Sequence, residues 1–193
     1  MSCPDCYKGF VLPGEPKGSM VGLDYFTPAP KDATQRTKAI CLLTDIFGLP
    51  LPNPRIVADH LAEQVGVDVW VPDFFNGKPI FKANDLNQLE PLMPDRAGVK
   101  ISWLSVGRFI IKGLPHLPRF IANRASVVDS RVQEFINKIK AEKGYDRVGA
   151  VGYCFGGAIA ARLGSTESLN TIVVAHPAKL TAEQIRAIKV TLH

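Results

Sequence analysis

The sequence has 193 residues, of which 46% are hydrophobic and 21% charged, with a formal net charge of +5 at pH 7. This composition is typical of a globular chain long enough to bury a core. Lys and Arg are scattered along the chain with Asp and Glu interleaved among them and form no basic stripe, which argues against a nucleic-acid-binding protein. No apolar run is long enough to span a bilayer. We expect neither a nucleic acid nor a membrane as a partner.

The cysteines indicate a reducing compartment. Cys3, Cys6, Cys41 and Cys154 are too few and too scattered for the disulfide framework of a small secreted protein. The N-terminus has no apolar segment of the signal-peptide type, so we expect a cytoplasmic protein. Cys3 and Cys6 lie in a Pro- and Gly-rich stretch, residues 1–18, that predicts an irregular arm. A structural zinc site needs four ligands, and we expect no metal and no cofactor.

The first half of the chain predicts an edge strand followed by a strand–helix–strand unit. Residues 19–30 predict one edge strand, which prolines bring to an end. An apolar run over residues 38–44 predicts the first central strand. A helix is predicted to begin at Asn53, as its N-cap, and to end at Gly66. Residues 67–73 predict the next strand. This order predicts parallel pairing with a right-handed crossover.

The second half continues the alternation of helices and strands. Residues 76–94 predict a loop or lid, and residues 95–112 a helix that ends where prolines break it. Apolar residues at helical spacing over residues 124–143 predict an amphipathic helix. Residues 171–175 and 189–192 predict strands on either side of a short helix with a capping box. The whole pattern predicts an α/β fold, with an open, mostly parallel sheet and helices on both faces.

One motif combines a strand, a sharp turn and a helix around a cysteine. Gly152-Tyr153-Cys154-Phe155-Gly156-Gly157 follows an apolar strand and precedes a helix of small residues. Its spacing is that of the nucleophile elbow G-x-S-x-G, with Cys in place of Ser. The glycines must lack a Cβ where the helix passes close to the strand. A helix N-terminus favours the thiolate. We interpret Cys154 as a nucleophile, the alternative being a buried structural cysteine.

These motifs resemble the dienelactone hydrolase family of α/β-hydrolases over nearly the whole chain. Besides the elbow, the matching segments are Thr44-Asp45-Ile46-Phe47-Gly48, Asn53-x-Arg55-x-x-Ala58-Asp59-x-Leu61-Ala62, Val71-Pro72-Asp73-Phe74-Phe75-x-Gly77 and Ala175-His176-Pro177. The N-terminal Cys-Pro-Asp-Cys-Tyr-Lys-Gly resembles eukaryotic members. The resemblance implies an α/β-hydrolase fold, in one domain over residues 1–193, and the hydrolysis of small esters or lactones.

The resemblance also implies site residues. The family uses a Cys–His–Asp triad, in which Cys154 matches the nucleophile. Asp45 matches a carboxylate that partners the resting thiol. The backbone N–H groups of Ile46 and Phe155 match the oxyanion hole, and the elbow geometry requires the second of them independently.

The acid and the histidine that complete such a triad should follow the nucleophile in the chain. No Asp follows Cys154, and the later histidines are His176 and His193. His176 comes directly after the strand next to the elbow, too early for the triad histidine, and we expect it at the pocket rim with Tyr153. We therefore expect a partial domain that lacks the last strands of the fold.

Two functions remain open at this point. The first is a hydrolase of ester or lactone bonds that works through a thioester acyl-enzyme on Cys154. The second is a catalytically incomplete remnant that binds or traps small acyl ligands without turnover, because it lacks a general base. The sequence does not predict the oligomeric state.

Overall fold

The computed structural model describes residues 12–82 and 102–192. Within these ranges seven strands form one sheet in the order β1-β2-β4-β3-β5-β6-β7. The strands are β1 Ser19–Val21, β2 Asp24–Thr27, β3 Lys38–Leu43, β4 Asp68–Val71, β5 Arg147–Tyr153, β6 Thr171–Ala175 and β7 Thr191–Leu192. Only the β1–β2 and β2–β4 pairs are antiparallel among these described strands. The prediction of a mostly parallel sheet is confirmed.

The helices alternate with the strands along the chain. They are α1 Asn53–Val65, α2 Trp103–Gly113, α3 Leu117–Ala122, α4 Ala125–Lys143, α5 Phe155–Leu163 and α6 Ala182–Arg186. The backbone of Gly66 and of Gly144 is left-handed at the ends of α1 and α4, which is the usual glycine C-cap. The predicted capping box between Thr181 and Gln184 opens α6.

The hydrophobic core has two parts, because alternate residues of a strand point to opposite faces of the sheet. Along β3, Cys41 and Leu43 pack in a cluster with α4 and α5, whereas Leu42 packs in a cluster with α1. From α4, this first cluster contains Val128, Val132, Ile136 and Ile139. From α1, the second contains Ala58 and Ala62. Helices therefore lie on both faces of the sheet, as predicted.

Two predictions in the first half of the chain are wrong. Residues 19–30 form a hairpin of β1 and β2 rather than one strand, because Gly22 (φ 66°) supplies the left-handed backbone of a two-residue turn. Asn53 is not an N-cap. Pro52 holds that position, and the Oδ1 of Asn53 instead accepts a hydrogen bond from the Leu12 N–H at 2.9 Å.

The prolines after α2 produce less of a break than predicted. A 3₁₀ turn over Leu114–His116 leads directly into α3. Proline lies in the first turn of each of these elements. The N–H groups of that turn make no hydrogen bond within the helix, so the lack of an N–H in proline costs none. The predicted helix over residues 95–112 begins at Trp103 in the described chain. Residues 83–101, with most of the predicted loop over 76–94, lie outside the described residues.

The described part of the N-terminal arm is tied to α1 by one buried carboxylate. Asp59 accepts hydrogen bonds from the N–H of Lys17 at 2.6 Å and from that of Gly18 at 3.2 Å. It also accepts from the hydroxyls of Tyr25 at 2.9 Å and Thr27 at 2.5 Å. Residues 12–18 contain no helix or strand, in agreement with the predicted irregular arm. Residues 1–11, with Cys3 and Cys6, lie outside the described ranges.

Candidate active site

Cys154 occupies the turn between β5 and α5. Its backbone has φ 50° and ψ −110°, a conformation that is strained for any residue with a side chain. Main-chain hydrogen bonds hold it there: the Cys154 N–H donates to the oxygen of Ala175 at 3.1 Å, and the Cys154 oxygen accepts from the N–H of Ala178 at 2.8 Å and of Ala158 at 3.2 Å. The end of β6 therefore fixes the backbone of the candidate nucleophile.

The glycines of the elbow allow main chains to approach each other closely. A Cβ on Gly156 would lie 2.2 Å from the backbone oxygen of Leu43, and one on Gly152 would lie 2.4 Å from the oxygen of Gly156. The Gly156 N–H donates to the oxygen of Thr44 at 2.9 Å, which joins the start of α5 to the end of β3. These contacts agree with the requirement for glycine that the elbow motif implies.

A cavity of about 190 Å³ opens at the same edge of the sheet, on the α1 side. It is lined by Leu42, Thr44, Asp45, Leu51, Asn53, Pro54, Val57, Tyr153 and His176. The structure thus brings Asp45, Tyr153 and His176 together. The wall formed by Leu51 to Val57 was not predicted from the sequence, although a segment that follows a strand end and opens a helix at a switch point was a usable signal.

Cys154, Ile46 and Phe155 do not line this cavity in the described structure. The ring of Phe155 packs against Phe74 and Phe75, with centroids 6.3 and 5.6 Å apart, in the cluster under α4. The Ile46 side chain packs in the same cluster. Ile46 and Phe155 therefore direct their side chains into the core and can act on a substrate only through the backbone.

The charges around the thiol favour its neutral form. Burial raises the pKa of Cys154, the Phe155 N–H lowers it, and the negative charge of Asp45 raises it further. Burial also raises the pKa of Asp45. Hydrogen bonds from the N–H groups of Phe47 and Gly48 lower this pKa, and so does the nearby His176. Burial, the largest of these effects, therefore favours the neutral thiol over the thiolate.

The residues next to His176 in the chain hold it beside the elbow. It follows Ala175 and precedes Ala178 by two residues, and both of these are hydrogen-bonded to the backbone of Cys154. The His176 ring lies 6.3 Å from the ring of Tyr153. His176 itself has φ 36°. Two of the three non-glycine residues with positive φ in the described ranges are thus Cys154 and His176, and strained backbone concentrates at functional sites.

The described residues contain no group of three or more His, Cys, Asp or Glu side chains placed to hold a metal ion. Within the same ranges no helix is long and apolar enough to cross a membrane.

Comparisons with known proteins identify relatives over most of the chain. The profile of the dienelactone hydrolase family matches residues 23–192. Hydrolase tropI of Talaromyces stipitatus is 31% identical over 189 residues, covering 95% of this chain and 66% of that protein. The human carboxymethylenebutenolidase homolog is 30% identical over 134 residues, covering 69% of this chain and 42% of that protein. The matched part of the chain thus spans just under two thirds of the fungal relative and less than half of the human one.

A solved structure extends the comparison to the fold. The dienelactone hydrolase from Anabaena variabilis superimposes with a TM-score of 0.53 at 15% identity, over 88% of this chain and 64% of that one. The mixed sheet, its strand order and this superposition show the α/β-hydrolase fold.

Proposed function

Since the chain belongs to the dienelactone hydrolase family, we propose that it hydrolyses ester or lactone bonds of small molecules through a thioester acyl-enzyme on Cys154. The observation that carries this proposal is the strained backbone of Cys154, at the end of a central strand and the start of α5. An α/β-hydrolase presents its nucleophile in this geometry. The partly exposed thiol and the adjacent Asp45 and His176 supply the reacting groups.

Acylation uses two side chains, Asp45 after the end of β3 and Cys154 after the end of β5. The Asp45 carboxylate takes the proton of the Cys154 thiol, and burial, which raises the pKa of Asp45, makes it a better base. The sulfur bonds to the substrate carbonyl carbon, and the N–H groups of Ile46 and Phe155 stabilise the negative oxygen. The ester C–O bond then breaks, and the leaving oxygen takes the proton from Asp45.

Deacylation requires a second base, and His176 is our candidate. The Ala175 and Ala178 hydrogen bonds to the Cys154 backbone place His176 beside the nucleophile, and it lines the cavity with Asp45. Its imidazole takes a proton from the water that attacks the thioester carbon. The C–S bond breaks, the acid leaves, and the thiolate recovers the proton from the imidazolium.

Although Cys154 does not line it, the cavity beside the elbow guides our choice of substrate class, because Asp45 and His176 form its polar end. A cavity of about 150 Å³ with apolar walls holds a molecule of the size of benzene, so the 190 Å³ found here suits a small ring or a short acyl group. Leu42, Leu51 and Val57 provide apolar wall, and Asp45 and His176 the polar end. We therefore favour small lactones and aryl esters over long-chain esters.

Trapping of acyl groups without turnover is a second candidate function. The observation that favours it is that no hydrogen bond joins His176 to Asp45 or to Cys154 in the described structure, although the positive charge of His176 lowers the pKa of Asp45. Without an engaged base, the acyl-enzyme would form and persist. The two functions share the first step and differ only in the second.

A burst assay with p-nitrophenyl acetate separates these functions. Steady release of p-nitrophenol beyond one equivalent supports hydrolysis, and a burst of one equivalent followed by silence supports trapping. The acetyl group should be found on the Cys154 peptide by mass spectrometry, and His176→Gln should slow its loss by about 10²–10⁴-fold, the usual contribution of a general base.

The matched control is Cys41→Ala, because Cys41 is fully buried in the core and should not react. Turnover that persists in Cys154→Ala and disappears in Cys41→Ala would contradict the proposal.

A further inference from the structure

The segment of residues 102–124, called the α2–α3 segment from here on, contributes almost nothing to the core. Among the residues of this segment whose exposure the structure describes, only Asn123 is buried. Eight large apolar side chains are exposed instead, from Phe120 at 43% to Trp103 at 92%, and Ile110, Ile111, Leu114 and Ile121 are all more than half exposed. Eight exposed large apolar side chains within 23 consecutive residues are more than the single scattered apolar residues of an ordinary surface.

The same segment carries most of the net charge of the protein. It contains Arg108, Lys112, Arg119 and Arg124, and no Asp or Glu. Its net charge is therefore +4, out of +5 for the whole chain, so all other residues together contribute +1. Of the four cations, Arg108, Lys112 and Arg124 are exposed and Arg119 is partly exposed.

The segment is attached to the rest of the described structure by two small contacts, and at one of them Arg131 donates to the Oδ1 of Asn123 at 2.9 Å. The His116 Nδ1 lies 3.2 Å from the backbone oxygen of Ile80. The Phe81 ring lies 4.7 Å from the His116 ring and 5.6 Å from that of Phe120. Phe81 in turn packs against the core cluster under α4. These contacts fix the segment to the body, and its large apolar side chains remain exposed in the described structure.

We propose that the α2–α3 segment docks on the surface of a membrane that contains anionic lipids. Amphipathic helices that combine Lys or Arg with Trp, Phe and Leu lie in the membrane interface, and Trp is favoured at the headgroup level. The exposed apolar residues bury in the interface while Arg108 and Lys112 meet lipid phosphates and carboxylates. The anionic leaflet of cells faces the cytoplasm, the compartment that the cysteine content predicts.

The charge distinguishes this occupant from a second copy of the chain. In a symmetric dimer through this surface, the same patch faces itself, so a charge of +4 would face another charge of +4. Like charges across an interface are strongly unfavourable. An anionic lipid surface offers negative headgroups to the cations and an apolar interface to the exposed apolar side chains. The proposal departs from the expectation of no membrane partner, which depended only on the lack of a spanning run.

Tryptophan fluorescence provides a direct test. The chain has two tryptophans: Trp103 is 92% exposed, whereas Trp70 is 4% exposed and its Nε1–H donates to Tyr145 at 3.1 Å. Vesicles of phosphatidylcholine with phosphatidylserine should shift the emission to the blue and sediment with the protein, and brominated lipids should quench it. Vesicles of phosphatidylcholine alone should do neither. Added salt should weaken the binding, since exposed charges are screened.

Two paired variants separate the charge from the apolar contact. Arg108→Gln/Lys112→Gln should weaken vesicle binding about thirtyfold, at about fivefold for each cation near an anionic surface. The matched control Arg186→Gln/Lys189→Gln removes the same charge from exposed positions at and after α6, and should leave binding unchanged. Ile110→Ser/Ile111→Ser should also weaken binding, whereas Ile185→Ser, at a site 51% exposed, should not.

Several results would overturn the proposal. These are equal binding to neutral and anionic vesicles, no change in Trp103 emission, or an equal loss of binding in the control variants. A concentration-dependent dimer that buries Trp103 in the absence of lipid would assign the surface to a second copy instead.

Discussion

At β5 and β6, the two faces of the sheet are covered to different extents. On the face under α4 and α5, called the covered face, Val132 from α4 and Val148 from β5 are fully buried. On the opposite face under α1, called the open face, Val151 of β5 is only partly buried and Val173 of β6 is 39% exposed. Val148 and Val151 belong to the same strand and point to opposite faces. The difference therefore reflects the helices on each side, not the strands.

The candidate site divides between these two faces. The covered face holds α5, whose residues Ala158 to Ala161 are buried, and this helix fixes the backbone of Cys154. The open face holds the cavity with Asp45 and His176. In the proposed mechanism, the more fully buried layer positions Cys154 and the less covered layer provides access to it. Functional groups on a rigid scaffold with a more mobile entrance are a common arrangement in enzymes.

Gly156→Ala should have the largest effect, because it disrupts the covered face at the elbow. The added Cβ would lie 2.2 Å from the Leu43 oxygen and 2.5 Å from that of Thr44, so α5 must move away from β3. We expect a loss of about 3 kcal/mol in the free energy of unfolding, measured in urea. Gly107→Ala is the control, since nothing lies within 4 Å of its Cβ position in α2. It should be neutral or stabilising by up to about 1 kcal/mol. Equal losses in the two variants would contradict the close-packing argument.

Two identical substitutions compare the faces directly. Val132→Ala on the covered face should lower the free energy of unfolding by about 2 kcal/mol, because it removes two buried methyl groups and leaves a cavity. Val173→Ala on the open face should lower it by less than about 1 kcal/mol, since the side chain already contacts solvent. Thermal or urea unfolding of both variants gives the comparison. Similar losses would show that the open face is covered in solution.

Much of the fold could be predicted from the sequence, because its signals are local. The apolar runs and the glycine at Gly66 specify strands and a helix end, and the elbow around Cys154 follows from glycine spacing. The hairpin at Gly22 was missed because its two strands are too short to show separate periodicity. The position of His176 at the pocket rim was expected from the sequence, because it directly follows the strand next to the elbow. The Leu51 wall of the cavity comes from an irregular loop, which leaves no periodic pattern in the sequence.

Asp59→Asn tests how α1 is held on the open face, where a polar network adds to the apolar packing of the helix. The carboxylate accepts from the N–H of Lys17 and from the hydroxyls of Tyr25 and Thr27. An amide has only one accepting oxygen, so donors are left unpaired and about 1–2 kcal/mol of the free energy of unfolding should be lost. Trypsin should also cleave faster at Lys17. Glu63→Gln is the control, because its ion pair with Lys17 spans 3.9 Å and is mostly exposed. Its effect should be within about 0.5 kcal/mol.

Asp45→Asn should have a small effect on the alkylation rate of Cys154, and it tests the coupling between the two faces. The negative charge of Asp45, on the open face, raises the pKa of the Cys154 thiol, after burial as the main cause. Removing this charge lowers that pKa, so more thiolate is present at neutral pH and alkylation by iodoacetamide should become about two- to tenfold faster.

In both proteins the alkylation rate should rise with pH, because the thiolate is the reacting form, and the curve of the Asn variant should lie at lower pH. Peptide mass spectrometry over a pH series measures the rate at Cys154. Cys41 serves as an internal control that stays unmodified in both, since burial raises its pKa and excludes the reagent. Ester turnover should fall in the same variant because the proposed base is lost. Slower alkylation in the Asn variant would contradict the expected direction, because it would mean that the charge of Asp45 does not hold the pKa of the resting thiol up.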